Sequence, residues 1–163
     1  MRVGITGHQR LADDAAWSWV RDALIQEIQP SQDTVGISSL AIGADQLFAE
    51  CVLNFGGSLI AVIPFPDYSR TFESDNERLR YQQLLGAAEQ VITLPGEQDE
   101  ESSYLAAGEM VVQESEMMVA IWDGLPAKGK GGTGDIVSFA VSLNRRVVHL
   151  EPIYKQIKEI SKS

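Results

Sequence analysis

In Gly56-Gly57-Ser58-Leu59-Ile60-Ala61-Val62-Ile63-Pro64-Phe65-Pro66, two glycines end a helix and two prolines close a strand. The run between them, Ser58 to Ile63, is aliphatic through its centre and never alternates with polar residues. A strand with one wet face alternates apolar and polar. A strand apolar on both faces belongs to a parallel sheet covered by helices on each side.

The rest of the chain carries the same alternation. Arg2 to Thr6 reads as a strand ending at Gly7. Asp13 or Asp14 can cap a helix with Trp17, Val20, Leu24, Ile25 and Ile28 near a helical period, stopped at Pro30. Thr34 to Leu40 reads as a strand, and Gly43-Ala44-Asp45 opens a helix running to Phe55. After the quoted stretch, Asp67 to Phe72 is a loop. Glu73 to Ala88 is a polar helix with a thin stripe of Leu79, Leu84 and Leu85. Gln90 to Leu94, Met117 to Trp122 and Arg146 to Leu150 read as strands. Ser102 to Glu116 and a segment ending near Asn144 read as helices, and the lysine-rich tail from Glu151 as a last helix. The spacing predicts one domain over residues 1–163, a three-layer α/β fold with a mostly parallel sheet and right-handed crossovers.

Composition narrows the function classes. The chain has 163 residues, 44% hydrophobic and 22% charged, which suits a globular core. A single cysteine, Cys51, excludes an internal disulfide, and one cysteine with two histidines gives no zinc pattern. No metal or cofactor is expected. The first residues lack a signal-peptide pattern and no apolar run reaches the ~20 residues of a membrane helix, so a cytoplasmic protein is expected. The formal net charge of −10 would repel DNA, RNA and anionic membranes. The expected partner is therefore a small anion, with no nucleic acid and no membrane.

Ligands of such folds sit outside the carboxyl ends of the strands. Four loops lie there. Thr6, Gly7, His8 and Arg10 follow the first strand and offer backbone access, hydrogen bonds and a cation. Gly43, Ala44 and Asp45 follow the second, where an aspartate can hold ribose hydroxyls or cap the helix. Pro64 to Phe72 follows the third and suits either base stacking or packing by its own aromatics. The fourth runs from Asp123 to Asp135 and is rich in glycine. Gly131, Gly132, Thr133 and Gly134 there suit a phosphate nest at a helix start. Gly129 to Gly134 matches G-x-G-x-x-G formally, which would cast Glu151 as the ribose ligand of a dinucleotide. That fingerprint turns directly after its strand, whereas Asp123 to Lys128 intervene here. Lys130 is followed by Gly131, so the loop is not a P-loop either.

Three segments carry a resemblance: Gly4-Ile5-Thr6-Gly7-His8, Ala41 to Glu50, and Val119 to Gly124 leading to Gly131-Gly132-Thr133. Together, in order, they resemble the superfamily of the Lonely Guy cytokinin-activating enzymes, the lysine decarboxylase-like proteins and the Rossmann-like (SLOG-type) domain of DNA-processing protein A. The resemblance implies a Rossmann-like sheet holding a nucleotide or nucleotide-derived phosphosugar, and a homo-oligomer. Some members cleave the base–ribose bond with the Glu of Pro-Gly-Gly-x-Gly-Thr-x-x-Glu. Here Ile136 or Ser138 stands at that place, depending on alignment. The end segment is also similar to nucleoside 2-deoxyribosyltransferases, whose catalytic Glu is again missing. Asp135, the nearby carboxylate, and Asp45 are the candidate catalytic acids. The expected ligand set is Thr6, Gly7, His8, Arg10, Gly43, Ala44, Asp45, Asp123, Gly131, Gly132, Thr133 and Gly134, with sensing favoured over turnover.

Overall fold

A computed structural model describes residues 1–127 and 129–163; Lys128, within the glycine-rich stretch, lies outside the described residues. Elements alternate along the chain: β1 (Arg2–Gly7), α1 (Ala16–Ile28), β2 (Val35–Ser38), α2 (Ala44–Asn54) and β3 (Ser58–Ile63). A 3-10 turn (Tyr68–Thr71) precedes α3 (Asp75–Ala87), β4 (Gln90–Thr93), α4 (Glu100–Glu114) and β5 (Met117–Ile121). The chain finishes with α5 (Thr133–Ser142), β6 (Arg146–Glu151) and β7 (Gln156–Ile160).

Among the described residues, seven strands form one sheet in the order β4-β3-β2-β1-β5-β6-β7. All neighbours pair parallel except β6 and β7. Alternate residues of β5 face opposite layers. Val119 and Ile121 join Val3, Ile5 and Leu150 beneath Val20 and Leu24 of α1 and Phe48 and Val52 of α2. Met118 and Ala120 join Ile60 and Val62 against Val111 of α4 and Ile136, Val137 and Ala140 of α5. The expected three layers are thus present, with the β3 stretch buried on both faces.

The tail departs from expectation. Ile157 and Ile160, three apart, read as one helical face. In β7 they point to opposite layers: Ile157 lies opposite Leu150 and Ile160 opposite Val147, which belong to different core clusters. Ile160 packs onto the Val147 layer, while Ile157 stays exposed beside Leu150, and pairing along β6 is what sets them on opposite faces. The stripe on α3 also differs. Leu79 is exposed, and the helix buries Tyr81 and Leu84 against an aromatic cluster. Asp13 and Asp14 are not the cap of α1, whose N-cap is Ala15; Asp13 Oδ1 accepts from Ala15 N at 3.0 Å one turn earlier. Asp99 caps α4 by accepting from Ser102 N at 2.7 Å, so the helix starts at Glu100 rather than Ser102.

Candidate functional site

β1 lies between β2 and β5, so the chain leaves the sheet centre in both directions. That makes the β1/β5 boundary the topological switch point, where loops diverge and leave a crevice. A cleft of about 1080 Å³ opens there. Thr6, Gly7, His8 and Arg10 line one wall. Asp123, Gly131, Gly132, Thr133 and Gly134 line the wall beyond β5, and Asp45 lines the floor above β2. Gly43, Ala44 and Asp135 do not line it.

Gly43 and Ala44 tie two loops together instead. Gly43 has φ +82° and ψ −122°, a region open only to glycine. A Cβ there would stand 2.3 Å from the carbonyl oxygen of Gln9. Ala44 N–H donates to His8 O at 3.1 Å, and a Cβ on Gly7 would meet Ala44 Cβ at 2.6 Å. The start of α2 therefore clamps the loop carrying His8 and Arg10. The sequence signal was real, but it reported loop-to-loop approach.

Asp45 sits in the first turn of α2 and is buried. Its Oδ2 accepts from Ala41 N at 3.3 Å. Burial pushes its carboxyl up to about 7, against the pull of the Ala41 and Ser39 N–H groups. Around it the chain is strained: Leu40 is fully buried with φ +58°. Ser38 Oγ accepts from Leu40 N at 3.1 Å, and Gln46 Nε2 donates to Leu40 O at 3.1 Å. These bonds hold an unfavourable backbone beside the cleft.

Beyond β5, His8 Nε2 stands 3.4 Å from both the backbone nitrogen and Oδ2 of Asp123. Burial raises the Asp123 carboxyl, but the Leu125 N–H and the neighbouring His8 outweigh it and hold it below its usual value. Trp122 Nε1 donates to Leu125 O at 2.8 Å and folds the loop back. Gly131 has φ +77°, and a Cβ there would lie 2.6 Å from Leu105 N of α4. α5 then begins at Thr133 with no side-chain cap. The first N–H groups of a helix have no intrahelical acceptor and carry partial positive charge. The buried Thr133 hydroxyl, on the cleft wall, has no hydrogen-bond partner among the described residues.

Asp135 is exposed on the outer side of α5. Ile136, where the family pattern has a glutamate in one alignment, is buried and lines the cleft. Glu151 serves the β6–β7 turn: its two carboxylate oxygens accept from Ile153 N and Tyr154 N at 2.8 Å each. That use leaves the dinucleotide alternative without its ribose ligand.

The loop after β3 packs with its own aromatics. Phe65, Tyr68 and Phe72 are buried, with Tyr68 edge-on to Phe65, Phe72 and Tyr81. Sequence reasoning missed Tyr104, Glu77 and Glu100, which also line the cleft. They belong to helices, and no loop motif marks them. Glu77 lies 3.9 Å from Arg10, and Glu100 pairs with Arg70 at 3.0 Å. The cleft arginines are thus already matched to carboxylates. Among the described residues no group of His, Cys, Asp and Glu is placed to hold a metal ion, and no helix is long and apolar enough to cross a membrane.

No protein-family model matches the sequence, and no curated protein sequence matches it significantly. Solved structures do. The chain superposes on DNA processing protein A from Helicobacter pylori with TM-score 0.66 at 16% identity, over 91% of this chain and 64% of that one. The corresponding values for DNA processing protein A from Streptococcus pneumoniae are 0.62, 22%, 91% and 49%. For the molybdenum cofactor carrier protein of Chlamydomonas reinhardtii they are 0.55, 19%, 92% and 75%. The chain therefore spans under two thirds of the DNA processing proteins, and it shares their Rossmann-like fold. One expectation is corrected. The Helicobacter structure describes a single-stranded DNA binding mode, so net charge does not exclude a nucleic-acid partner for this architecture. The physical reason is that −10 is a sum over the whole surface, whereas backbone N–H groups and helix starts act within a few ångströms.

Proposed function

We propose that this protein binds a nucleotide or a nucleotide-derived phosphosugar in the cleft at the β1/β5 boundary, as a sensor or binding protein. The observation that carries the reading is the uncapped start of α5, with the Thr133 hydroxyl unpartnered on the wall of a cleft of about 1080 Å³. The phosphate lies against Thr133 and Gly134, with His8 across β1. Asp45 lies one strand further on, where a sugar follows the phosphate. The likeness to a cofactor carrier supports ligand binding in this fold. Binding without turnover is favoured because Ile136 or Ser138, depending on alignment, stands where the resembled pattern has its glutamate, and Asp135 faces away from the cleft.

A second reading, a single-stranded nucleic acid laid along the cleft, is favoured by the likeness to DNA processing protein A. Calorimetric titration with AMP and with a short oligodeoxynucleotide separates the two. We expect AMP to bind and to raise the melting temperature at millimolar concentration. Oligonucleotide binding with no AMP binding selects the second reading. Release of free base from AMP that is lost in Asp135→Asn or Asp45→Asn would restore the hydrolase assignment.

A further inference from the structure

Two buried polar side chains in the cleft are not consumed by the fold. Tyr68 is 5% exposed, lines the cleft, and its hydroxyl has no hydrogen-bond partner among the described residues. Its ring is fixed by Phe65, Phe72 and Tyr81, so the hydroxyl's position is set before any ligand arrives. Asp45 is 8% exposed and lines the same cleft. An ionised carboxylate offers about four acceptor sites. The Ala41 and Ser39 N–H groups occupy some of them and leave further acceptor capacity. Burial raises the Tyr68 phenol well above its ordinary range, and the Asp45 charge adds to it; the geometric link between the two is the cleft they both line.

Among the described residues the only fully buried side-chain polar atom without a partner is Arg145 Nε, so the unpartnered Tyr68 hydroxyl opens onto the cleft, and a ligand that covers it must supply the missing bond. A hydroxyl group on a ligand satisfies both: it donates to the Asp45 carboxylate and accepts from the Tyr68 phenol. β5, β1 and β2 are neighbours. At about 4.8 Å per spacing, roughly 10 Å separates the strand that leads to Thr133 from the strand that leads to Asp45. That is the scale of a ligand with a body beyond its phosphate.

Resting on the nucleotide reading above, we propose that Asp45 and Tyr68 form a sugar-hydroxyl subsite that makes the cleft selective for ribonucleotides over 2′-deoxyribonucleotides. A ligand lacking the hydroxyl buries the same area but leaves both groups unpaired, and the desolvation loss is then not recovered.

The test titrates the full chain with AMP, 2′-deoxy-AMP and ribose 5-phosphate. AMP is expected to bind about tenfold to hundredfold more tightly than 2′-deoxy-AMP, the range set by one or two unsatisfied buried groups. Asp45→Asn disturbs the Ala41 turn, so Tyr68→Phe, which removes one oxygen and keeps the ring packing, is the cleaner variant. The AMP to 2′-deoxy-AMP ratio should fall towards one in Tyr68→Phe. Equal affinities in the wild type overturn the inference and leave the nucleotide reading standing. A preference that survives Tyr68→Phe also overturns it, because the hydroxyl is then read elsewhere. If none of the three compounds binds, the nucleotide reading falls and takes this inference with it.

Discussion

At the residue scale, Asp45 and Gly43, two positions apart, do opposite things: one stores cost at the cleft and the other fixes its wall. Asp45 titrates at about 7 when folded, against an ordinary value of 3.8, because burial disfavours its charge. The folded state therefore holds the proton more tightly than the unfolded chain. The stability due to this group is fully present below about pH 4, falls as pH rises from there through 7, and is level above. Three units of difference bound the effect at about 4 kcal/mol. We predict that Asp45→Asn removes this slope. Denaturant titrations from pH 4.5 to 8 should show the wild type losing stability relative to the variant, and parallel curves would refute the assignment. For Gly43, an alanine must adopt φ +82° and move Gln9 O from 2.3 Å. Gly43→Ala is predicted to lose about 3 kcal/mol of stability, measured by urea midpoint. The sequence reading put both residues in the ligand set, and the structure places Asp45 on the cleft and Gly43 off it. The sequence could not say that Gly43 meets another loop, because a glycine after a strand looks the same whether a ligand or a backbone approaches it.

At the scale of elements, the helices and parallel strands were legible because each carries its own period and punctuation. Ser58 to Ile63 was read with its observed limits, since Gly57 and Pro64 bracket it. β7 was not legible. Its isoleucines fit a helical spacing, and only the pairing along β6, opposite Leu150 and Val147, makes the strand win. The hairpin that delivers it depends on Glu151, which accepts two backbone N–H groups, while Lys155 turns the corner at φ +54°. Glu151→Ala leaves the N–H groups of Ile153 and Tyr154 without that acceptor. We predict a loss of roughly 1–3 kcal/mol. Hydrogen exchange should show it as faster exchange in β7, with β3 protection falling only if the whole sheet loosens. Equal acceleration in both strands would mean that β7 is integral to the global unfolding unit.

For the whole molecule, the net charge of −10 and the proposed anionic ligand set up a test of how the ligand is held. Tyr104, on α4, was invisible as a cleft residue for the same reason that the charge was over-read: a chain gives sums and neighbours in sequence, while a site is made of neighbours in space. Arg10 and Arg70 face Glu77 and Glu100, whereas Lys130 and Lys155 also line the cleft and make no ion pair among the described residues. A phosphate held by backbone N–H groups at the start of α5 displaces no counterions from a lysine or arginine cluster. Long-range repulsion from the acidic surface acts against its approach, and salt screens that repulsion within about 10 Å at 0.1 M. Affinity for AMP should therefore stay level or improve modestly between 20 and 200 mM NaCl. A nucleic acid gripped through lysine and arginine contacts behaves in the opposite way, losing affinity steeply over the same range as counterions are taken up again. Calorimetry of both ligands across the salt series reads the sign directly. A tenfold weakening of AMP would show that side-chain cations such as Lys130, Arg10 and Arg70, not the helix start alone, carry the phosphate.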